Sequence, residues 1–298
     1  MNYVSVCSGI EAATVAWHPL GWKPLLFAEI SKFPSAVLAH HHPGVPNVGD
    51  FTSIQEAPAP CDLLVGGTPC QAFSIAGLRG GLSDSRGNLA LEFCRLADRL
   101  RPRWILWENV PGVLSRNEGR DFGSILGALG QLGYGLAYRV LDAQFCGVPQ
   151  RRRRVFVVGY LGDWRCAAAV LSERTSMRRD TQPRNLSPAA DGRAAFSITP
   201  ESGQGARLRA AEVDVASGIA AVTLSASTDR GIRVLESEGV RRLTPLEVER
   251  LQGFPDGYTA IPGCSDAARY HALGNSMAVP VMAFLGRRIQ AVEAITVG

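Results

Sequence analysis

The chain has 298 residues, of which 46% are hydrophobic and 19% are charged, and its formal net charge at pH 7 is +4. This length and composition allow a full α/β core together with a smaller second domain. No apolar stretch is long enough to span a bilayer, and residues 1–10 lack the basic start of a signal peptide, so we expect a soluble, unprocessed protein with no membrane partner.

The charged residues and the cysteines say little about the class of function. Lys23 and Lys32 are the only lysines, so arginine carries nearly all the positive charge. Arginine suits phosphates and guanine edges, but a GC-rich genome gives the same bias, and charge therefore permits DNA binding without arguing for it. The seven cysteines form no Cys-x-x-Cys pair, which favours a reducing cytoplasm over disulfides or a zinc site.

A run of three histidines, His40 to His42, could suggest a metal site. We instead interpret the run as the end of a helix that begins near Pro34. We therefore predict no bound metal.

The most informative segment reads Gly-Gly-Thr-Pro-Cys-Gln-Ala-Phe-Ser at residues 66–74. It follows a short apolar run at residues 62–65, which predicts a buried strand whose carboxyl end opens into a loop. Cys70 would then lie at the edge of the sheet where open α/β folds bind ligands. A thiol held there is a candidate nucleophile, although an isolated cysteine is more often a small buried hydrophobic residue.

The loop at residues 71–84 contains three glycines. This composition is typical of a mobile lid that closes over a substrate. A glycine-rich surface loop without catalytic motion is the alternative.

A second apolar run, residues 103–107, ends in Glu108 and is preceded by a predicted helix at residues 88–101. If this run and the strand before Cys70 are neighbours in one parallel sheet, Cys70 and Glu108 face the same crevice. A third group comes from the arginines that lead into the predicted strand 155–159. Alternate residues of an extended chain point to one side, which groups Arg152 with Arg154.

The composition changes from about residue 161 to 239, where strand and helix signals give way to Ser, Thr, Ala and Gly. We therefore assign residues 1–160 and 270–298 to one discontinuous domain, and residues 161–269 to a small, partly irregular second domain. Thr244, Pro245 and Glu247 predict a helix start with a capping box. A final helix is predicted at residues 278–293.

Three motifs, in this order, resemble those of the DNA (cytosine-5)-methyltransferase family of bacteria and phages. They are Pro69-Cys70-Gln71, Glu108-Asn109-Val110 and Gln150-x-Arg152-x-Arg154. The resemblance implies an α/β fold with a doubly wound, mostly parallel sheet, the Rossmann-like fold of S-adenosylmethionine-dependent methyltransferases. It also implies that the second domain recognises the DNA target.

The resemblance assigns roles to particular residues. Cys70, Glu108, Arg152 and Arg154 are the implied catalytic residues, and S-adenosyl-L-methionine is the implied cofactor. Glu29 is expected to bind the ribose and Asp50 the adenine amine. The first loop departs from the family pattern, because Cys7 and then Glu11-Ala12-Ala13 replace an aromatic residue and glycines. The full set of implied cofactor residues is Cys7, Ser8, Gly9, Ile10, Glu29, Ile30, Asp50, Phe51, Pro69, Leu89, Asn275 and Ser276.

The chemistry of cytosine supports the same assignment. Carbon 5 is a poor nucleophile, so addition of a Cys70 thiolate to carbon 6 would split a difficult step into easier ones. Glu108 would supply a proton at ring nitrogen 3, which burial against Trp107 would favour. One of the consecutive arginines at 151–154, called the arginine comb below, would stabilise charge on the ring carbonyl oxygen. The resemblance assigns this role to Arg154.

The expected partner is double-stranded DNA, from which the target base is flipped. We expect a cytoplasmic monomer of bacterial or phage origin, and a cognate restriction endonuclease stays open as a partner. Three alternative functions are an RNA cytosine methyltransferase, an inactive regulatory subunit and a thiol hydrolase. The first is disfavoured because the Cys-Phe-Thr signature of that branch is absent. A hydrolase of this kind would need a histidine as its base. We expect the five histidines to lie outside the group formed by Cys70, Glu108 and the arginines at 151–154.

Overall fold

The computed structural model describes residues 1–69, 89–172, 194–196, 233–236 and 239–296. Its main feature is a six-stranded sheet in the order β2-β1-β3-β4-β6-β5. The strands are β1 (Asn2–Val6), β2 (Lys23–Ala28), β3 (Leu63–Gly66), β4 (Trp104–Asn109), β5 (Tyr134–Asp142) and β6 (Arg153–Leu161). Within it, β1 to β4 pair in parallel, while β6 pairs antiparallel with both β4 and β5.

Helices cover both faces of this sheet. In chain order they are α1 (Ala12–Trp17), α2 (Lys32–His41), α3 (Leu89–Leu100), α4 (Arg120–Gln131), α5 (Trp164–Leu171), α6 (Pro245–Gln252), α7 (Asp266–Asn275) and α8 (Val279–Thr296). The predicted mostly parallel, doubly wound α/β fold is thus confirmed. None of the described helices has the length and apolar composition needed to cross a membrane.

Alternation along the strands divides the apolar side chains between two cores. On β4, Trp104 and Leu106 belong to the core that contains α1 and α8, while Ile105 and Trp107 belong to the core that contains α3 and α4. Successive strand residues point to opposite faces. By this alternation Glu108 shares the α8 face, and Asn109 shares the α3 face with Trp107.

The predicted element bounds differ from the observed ones by a few residues. Strand β6 is longer than the predicted 155–159 and includes Arg153 and Arg154, because it pairs along its length with β5. Helix α2 begins at Lys32 rather than near Pro34, and His42 ends it, as the histidine run predicted. The capping box of Thr244 and Glu247 at the start of α6 is present.

A three-stranded antiparallel sheet lies within the predicted second domain: β7 (Ala194–Phe196), β8 (Arg233–Glu236) and β9 (Gly239–Arg242). Flanking segments pack on the large sheet instead. Cys166 and Val170 of α5, and Val248 and Tyr258 beyond β9, belong to the same core as Tyr3 and Trp17. The division into two domains stays a prediction, and these contacts favour boundaries near residues 172 and 243 over 161 and 269.

Candidate active site at the carboxyl edge of the sheet

A cavity of about 590 Å³ opens where β1 to β4 end. The antiparallel direction of β6 brings its first residues to this same edge, since Asn109 at the end of β4 pairs with Val155. An acid that leaves one strand and arginines that enter another therefore meet. The predicted site residues that line the cavity are Cys7, Gly9, Glu29, Ile30, Asp50, Phe51, Pro69, Leu89, Glu108, Arg152, Arg154 and Asn275.

The remaining predicted site residues lie elsewhere. Ser8 and Ser276 line a smaller cavity of about 40 Å³, which Cys7, Glu108 and Asn275 also border. Ile10 is fully buried in the core behind the first loop and borders neither cavity. Cys70 and the predicted lid at residues 71–84 lie outside the described residues.

Glu108 is the acid at the centre of the cavity. Its Oε1 lies 3.1 Å from Nε of Arg154, and the side chains of the two residues are 12% and 17% exposed. Burial raises the pKa of Glu108, while the charges of Arg154 and Arg152 and the hydrogen bond from Arg154 lower it. The net direction is upward, which favours a carboxyl group that holds a proton nearer to neutral pH than an ordinary glutamate does.

Arg152 connects the cavity to the end of α7. Its Nη2 donates to the carbonyl oxygens of Gly274 at 3.0 Å and Ser276 at 2.6 Å. The terminal carbonyl groups of a helix lack partners within the helix, so a guanidinium group satisfies them well. Arg152 thus fixes the segment of Asn275, while two of its nitrogen atoms, Nε and Nη1, stay buried without a partner in the described structure.

The comb has the predicted alternation. Arg152 is buried and Arg154 is partly buried at the cavity, whereas Arg151 and Arg153 are exposed. The period-two rule therefore identified the side of the chain that faces the site.

Two carboxylates lie at the other end of the cavity. Glu29 follows β2, where its Oε2 accepts from the backbone N–H of Gly9 at 2.9 Å and its Oε1 from that of Ser31 at 2.7 Å. Oδ1 of Asp50 accepts from the N–H of Thr52 at 2.9 Å. A carboxylate offers about four lone-pair positions, so both groups retain capacity for ligand donors.

These residues fit an adenosyl cofactor. Glu29 and Asp50 supply acceptors for hydroxyl and amine groups, and the side chain of Ile30 is 78% exposed beside them. An exposed isoleucine at a cavity rim offers an apolar surface to a flat ring. The cavity volume also lies within the roughly 300–1,000 Å³ that is common for small-molecule sites.

Asn47 joins the two loops that carry Glu29 and Asp50, and the sequence analysis did not single it out. Its Oδ1 accepts from the N–H groups of Glu29 at 2.9 Å and Gly49 at 3.2 Å, and its Nδ2 donates to the carbonyl of Glu29 at 3.1 Å and to Oγ of Ser35 at 3.0 Å. The amide therefore ties the loop of Glu29 to the loop of Asp50. An asparagine two residues before a glycine is a known turn signal, and it could have identified this residue.

The first loop is held in an unusual conformation. Cys7, Gly9 and Glu11 all have positive φ values of 49°, 57° and 64°. Glu11 is buried and accepts from Oγ of Ser5 at 2.8 Å and from the N–H of Thr14 at 3.3 Å, so it caps α1. Burial raises the pKa of Glu11 to about 7, and burial also raises the pKa of the Cys7 thiol to about 12. Glu11 therefore stabilises a backbone geometry that favours glycine.

His41 packs against Tyr258 and does not line the main cavity. His41 stacks on Tyr258 with ring centroids 4.0 Å apart, and its Nε2 donates to the Tyr258 carbonyl at 2.7 Å. The hydroxyl of Tyr258 in turn donates to the carbonyl of Ile10 at 3.0 Å. Within the described ranges, no group of three or more His, Cys, Asp and Glu residues is arranged to hold a metal.

One expectation about the histidines is wrong. We expect His271 to lie apart from Cys70, Glu108 and the arginines, yet it lines the same cavity as Glu108, Arg152 and Arg154. It lies one helical turn before Asn275 on α7, and residues four apart share a helix face. The helix that brings Asn275 to the cavity therefore brings His271 with it.

Comparison with known proteins identifies the family. The family model for C-5 cytosine-specific DNA methylase matches residues 1–187 and 199–291. The chain belongs to this family. It is thereby a methyltransferase of the DNA cytosine-5 class, as the three motifs had implied.

Individual relatives are named as methyltransferases. The chain is 34% identical to the Type II methyltransferase M.NlaX of Neisseria lactamica, over 89% of this chain and 87% of that protein. It is also 34% identical to a protein of Escherichia phage P1 named DNA N-6-adenine-methyltransferase, over 96% of this chain and 61% of that protein. The chain thus spans less than two thirds of the phage relative.

A solved structure supports the fold. The S. pombe Dnmt2 methyltransferase aligns with a TM-score of 0.68 over 99% of both chains, at 17% sequence identity. This likeness confirms the Rossmann-like methyltransferase fold.

Proposed function

We propose that the chain transfers a methyl group from S-adenosylmethionine to carbon 5 of a cytosine in duplex DNA, within a specific sequence. The observation that carries the proposal is the buried pair of Glu108 and Arg154, 3.1 Å apart, in a cavity that Pro69 and the carboxylates of Glu29 and Asp50 also line. A proton donor, a cation and a cofactor-sized space therefore share one edge of the sheet.

The reaction begins at Cys70, which directly follows Pro69 of the cavity wall. Its thiolate forms a bond to carbon 6 of the cytosine, and the electron pair of the 5,6 double bond becomes available at carbon 5. Carbon 5 would then bond to the methyl group of S-adenosylmethionine as the bond from that carbon to the sulfonium sulfur breaks, which leaves the sulfur as a neutral thioether. Loss of the proton from carbon 5 returns an electron pair to the ring, so that the double bond forms again and the sulfur leaves carbon 6 as thiolate.

Glu108 provides the proton that makes this addition favourable. A proton that Glu108 donates to ring nitrogen 3 neutralises the charge that the thiolate brings into the ring, and it returns to Glu108 when the thiolate leaves. Burial raises the pKa of Glu108, and a raised pKa lets a carboxyl group act as an acid near neutral pH. The pairing with Arg154 opposes this effect and also holds the carboxyl group in one orientation.

The two arginines stabilise the carbonyl oxygen of the ring. Arg154 lies beside Glu108, and Arg152 retains two buried N–H donor atoms. Donors that are already oriented towards developing charge stabilise it without reorganisation.

When bound, S-adenosylmethionine supplies the electrophilic methyl group. Glu29 would hold its ribose, Asp50 its adenine amine, and Ile30 its ring face. Asn275, Cys7 and Gly9 line the space between these groups and Glu108, which is where the reacting end of the cofactor would lie.

Double-stranded DNA is the proposed partner. A base within a duplex cannot present its ring to a thiol and a methyl donor together, so the cytosine must leave the stack. We propose that the segment between α5 and α6 recognises the DNA sequence, and that the enzyme acts as a monomer in the cytoplasm. Several relatives are named as Type II methyltransferases, which favours a cognate restriction endonuclease as a further partner.

Analysis of the product nucleosides tests the proposal. The full-length protein would be incubated with labelled S-adenosylmethionine and either unmethylated plasmid DNA or transfer RNA, and the digested product analysed by mass spectrometry. We expect 5-methylcytosine from DNA and no product from RNA or from Cys70→Ser. N6-methyladenine, suggested by the name of the phage P1 relative, would contradict the proposal, as would 5-methylcytosine in RNA alone.

A further inference from the structure

Two side chains that flank Glu108 on β4 reach across to the same residue, Thr68. Nε1 of Trp107 donates to Oγ1 of Thr68 at 2.9 Å, and Nδ2 of Asn109 donates to the Thr68 carbonyl at 3.0 Å. Thr68 lies two residues before Cys70. The chain just before Cys70 is therefore hydrogen-bonded to β4, the strand that carries Glu108.

These two hydrogen bonds begin where the backbone pairing ends. The ladder between β3 and β4 stops at the pair Gly66 and Trp107, after which the chain leaves the sheet. By strand alternation the contacts with Thr68 lie on the α3 face, opposite to the face of Glu108. Thr68 and Asn109 also line the main cavity together with Glu108, so these bonds hold the departing chain at the wall of the site.

Burial gives the Thr68 contacts their strength. Thr68 is 3% exposed, Trp107 is fully buried and Asn109 is 5% exposed. An indole N–H can only donate, and a buried donor without an acceptor is costly. The hydroxyl of Thr68 is the acceptor for Trp107, so the position of one residue depends on that of the other.

The next residue transmits this constraint along the chain. Proline fixes its own φ near −65° and restricts the residue before it to extended conformations. Pro69 therefore makes residues 68 and 69 a stiff unit, whose direction is set by the two bonds to Thr68. The close packing of Gly67, where an added Cβ would lie 3.0 Å from Oε2 of Glu108, leaves little room for another path.

We propose that Thr68 is a positioning residue, which fixes the approach of the Cys70 thiol relative to Glu108 through its hydrogen bond with Trp107. This inference rests on the proposed function of Cys70 and Glu108. It assigns a catalytic consequence to a hydroxyl group that already accepts from the Trp107 indole, in a residue of the cavity wall.

Matched variants of the full-length enzyme test the inference. Thr68→Val removes the hydroxyl at constant shape, Thr68→Ser retains it, and Trp107→Phe removes the donor. The measurements are single-turnover methyl transfer to unmethylated plasmid DNA, KM for S-adenosylmethionine, the rate of covalent trapping by DNA that contains 5-fluorocytosine, and the urea midpoint.

We expect Thr68→Val to slow both methyl transfer and trapping by about 10- to 100-fold, since a misplacement of about 1 Å can cost about 100-fold. KM should change by less than about twofold, because the cofactor carboxylates are elsewhere. Thr68→Ser should stay within about threefold of the natural enzyme, since it keeps the acceptor. The double variant with Trp107→Phe should be no more than about threefold slower than Thr68→Val, because both changes remove one bond.

The inference is overturned if Thr68→Val transfers methyl within about threefold of the natural enzyme, or if Thr68→Ser is as slow as Thr68→Val. If Thr68→Val does not fold, Trp107→Phe makes the same comparison from the donor side. Failure of the proposed function would look different, because the natural enzyme itself would then form no 5-methylcytosine and no trapped complex.

Discussion

The two ends of the cavity use carboxylates in opposite ways. At the cofactor end, Glu29 is half-buried and directly follows β2, whereas Asp50 is exposed and lies in the loop between α2 and β3. Both carboxylates accept backbone hydrogen bonds. At the reaction end, the Glu108 side chain is almost buried within a strand and paired with Arg154. A solvated carboxylate serves as a hydrogen-bond acceptor, whereas a desolvated one can serve as an acid. Residue type alone does not distinguish these roles; burial does.

The reaction end should be the more sensitive to loss of a single acid. We expect Glu108→Gln to slow methyl transfer by about 100- to 10,000-fold, the range typical of general acid catalysis, with little change in affinity for S-adenosylhomocysteine. Single-turnover kinetics and calorimetry measure the two effects.

Glu293→Gln is a matched control for this variant. Glu293 accepts from the indole of Trp104 at 2.7 Å and pairs with Arg103 at the opposite end of β4. Its replacement should leave the transfer rate within about twofold, since it lies outside the reaction. Equal losses in both variants would show that burial of a paired glutamate, rather than acid catalysis, explains the effect.

Glu11 tests the influence of burial without chemistry. Its pKa rises from an ordinary 4.5 to about 7, so the folded protein binds a proton that the unfolded chain releases between these pH values. Stability should therefore fall as pH rises through this window, and over the same rise in pH the free energy of unfolding of Glu11→Gln should increase by up to about 3 kcal/mol relative to that of the natural chain. Urea unfolding at pH 4.5 and pH 8 measures this difference. A difference that is the same at both pH values would contradict the assignment.

The cofactor end should respond in affinity rather than in rate. Glu29→Gln should weaken binding of S-adenosylhomocysteine by about 10- to 50-fold, because hydrogen bonds to charged groups contribute about 1.5–3 kcal/mol. Turnover at saturating S-adenosylmethionine should change by less than about threefold. Glu56→Gln, in an exposed loop outside the cavity lining, is the control. A large loss of turnover with unchanged affinity would reverse the proposed division of roles.

Asn47 should have the smallest effect. Its four hydrogen bonds are solvent-exposed, and exposed bonds contribute less than buried ones. Asn47→Ala should weaken S-adenosylhomocysteine binding by about 3- to 10-fold, measured by calorimetry. Asn117→Ala, which removes an amide bonded to Asp121, should leave this affinity unchanged. Equal affinities of Asn47→Ala and the natural protein would show that the two acid loops hold themselves in place.

Local patterns predicted the parts of the site that depend on strand ends and alternation. Rules that span only a few residues predicted three features. These are the apolar run before Glu108, the alternation of Arg152 and Arg154, and the capping box at Thr244. These features needed no knowledge of distant contacts. The doubly wound, mostly parallel fold was instead implied by the family resemblance.

Contacts between segments far apart in sequence could not be predicted. His271 enters the cavity because α7 packs beside it, and Arg152 bonds to carbonyl groups more than 120 residues away. Packing of residues 243–261 on the first core likewise has no local signal. Side-chain orientation across strand neighbours, as between Trp107 and Thr68, depends on register, which only the assembled sheet defines.

The trapped complex tests the central claim most directly. The full-length protein would be incubated with S-adenosylmethionine and duplex DNA in which 5-fluorocytosine replaces cytosine, and then digested and mapped by mass spectrometry. Fluorine at carbon 5 cannot leave as a proton, so the covalent intermediate should accumulate. The account predicts one methylated nucleotide attached to Cys70 and none in Cys70→Ser. Formation of 5-methylcytosine in ordinary DNA without any adduct at Cys70 would contradict it.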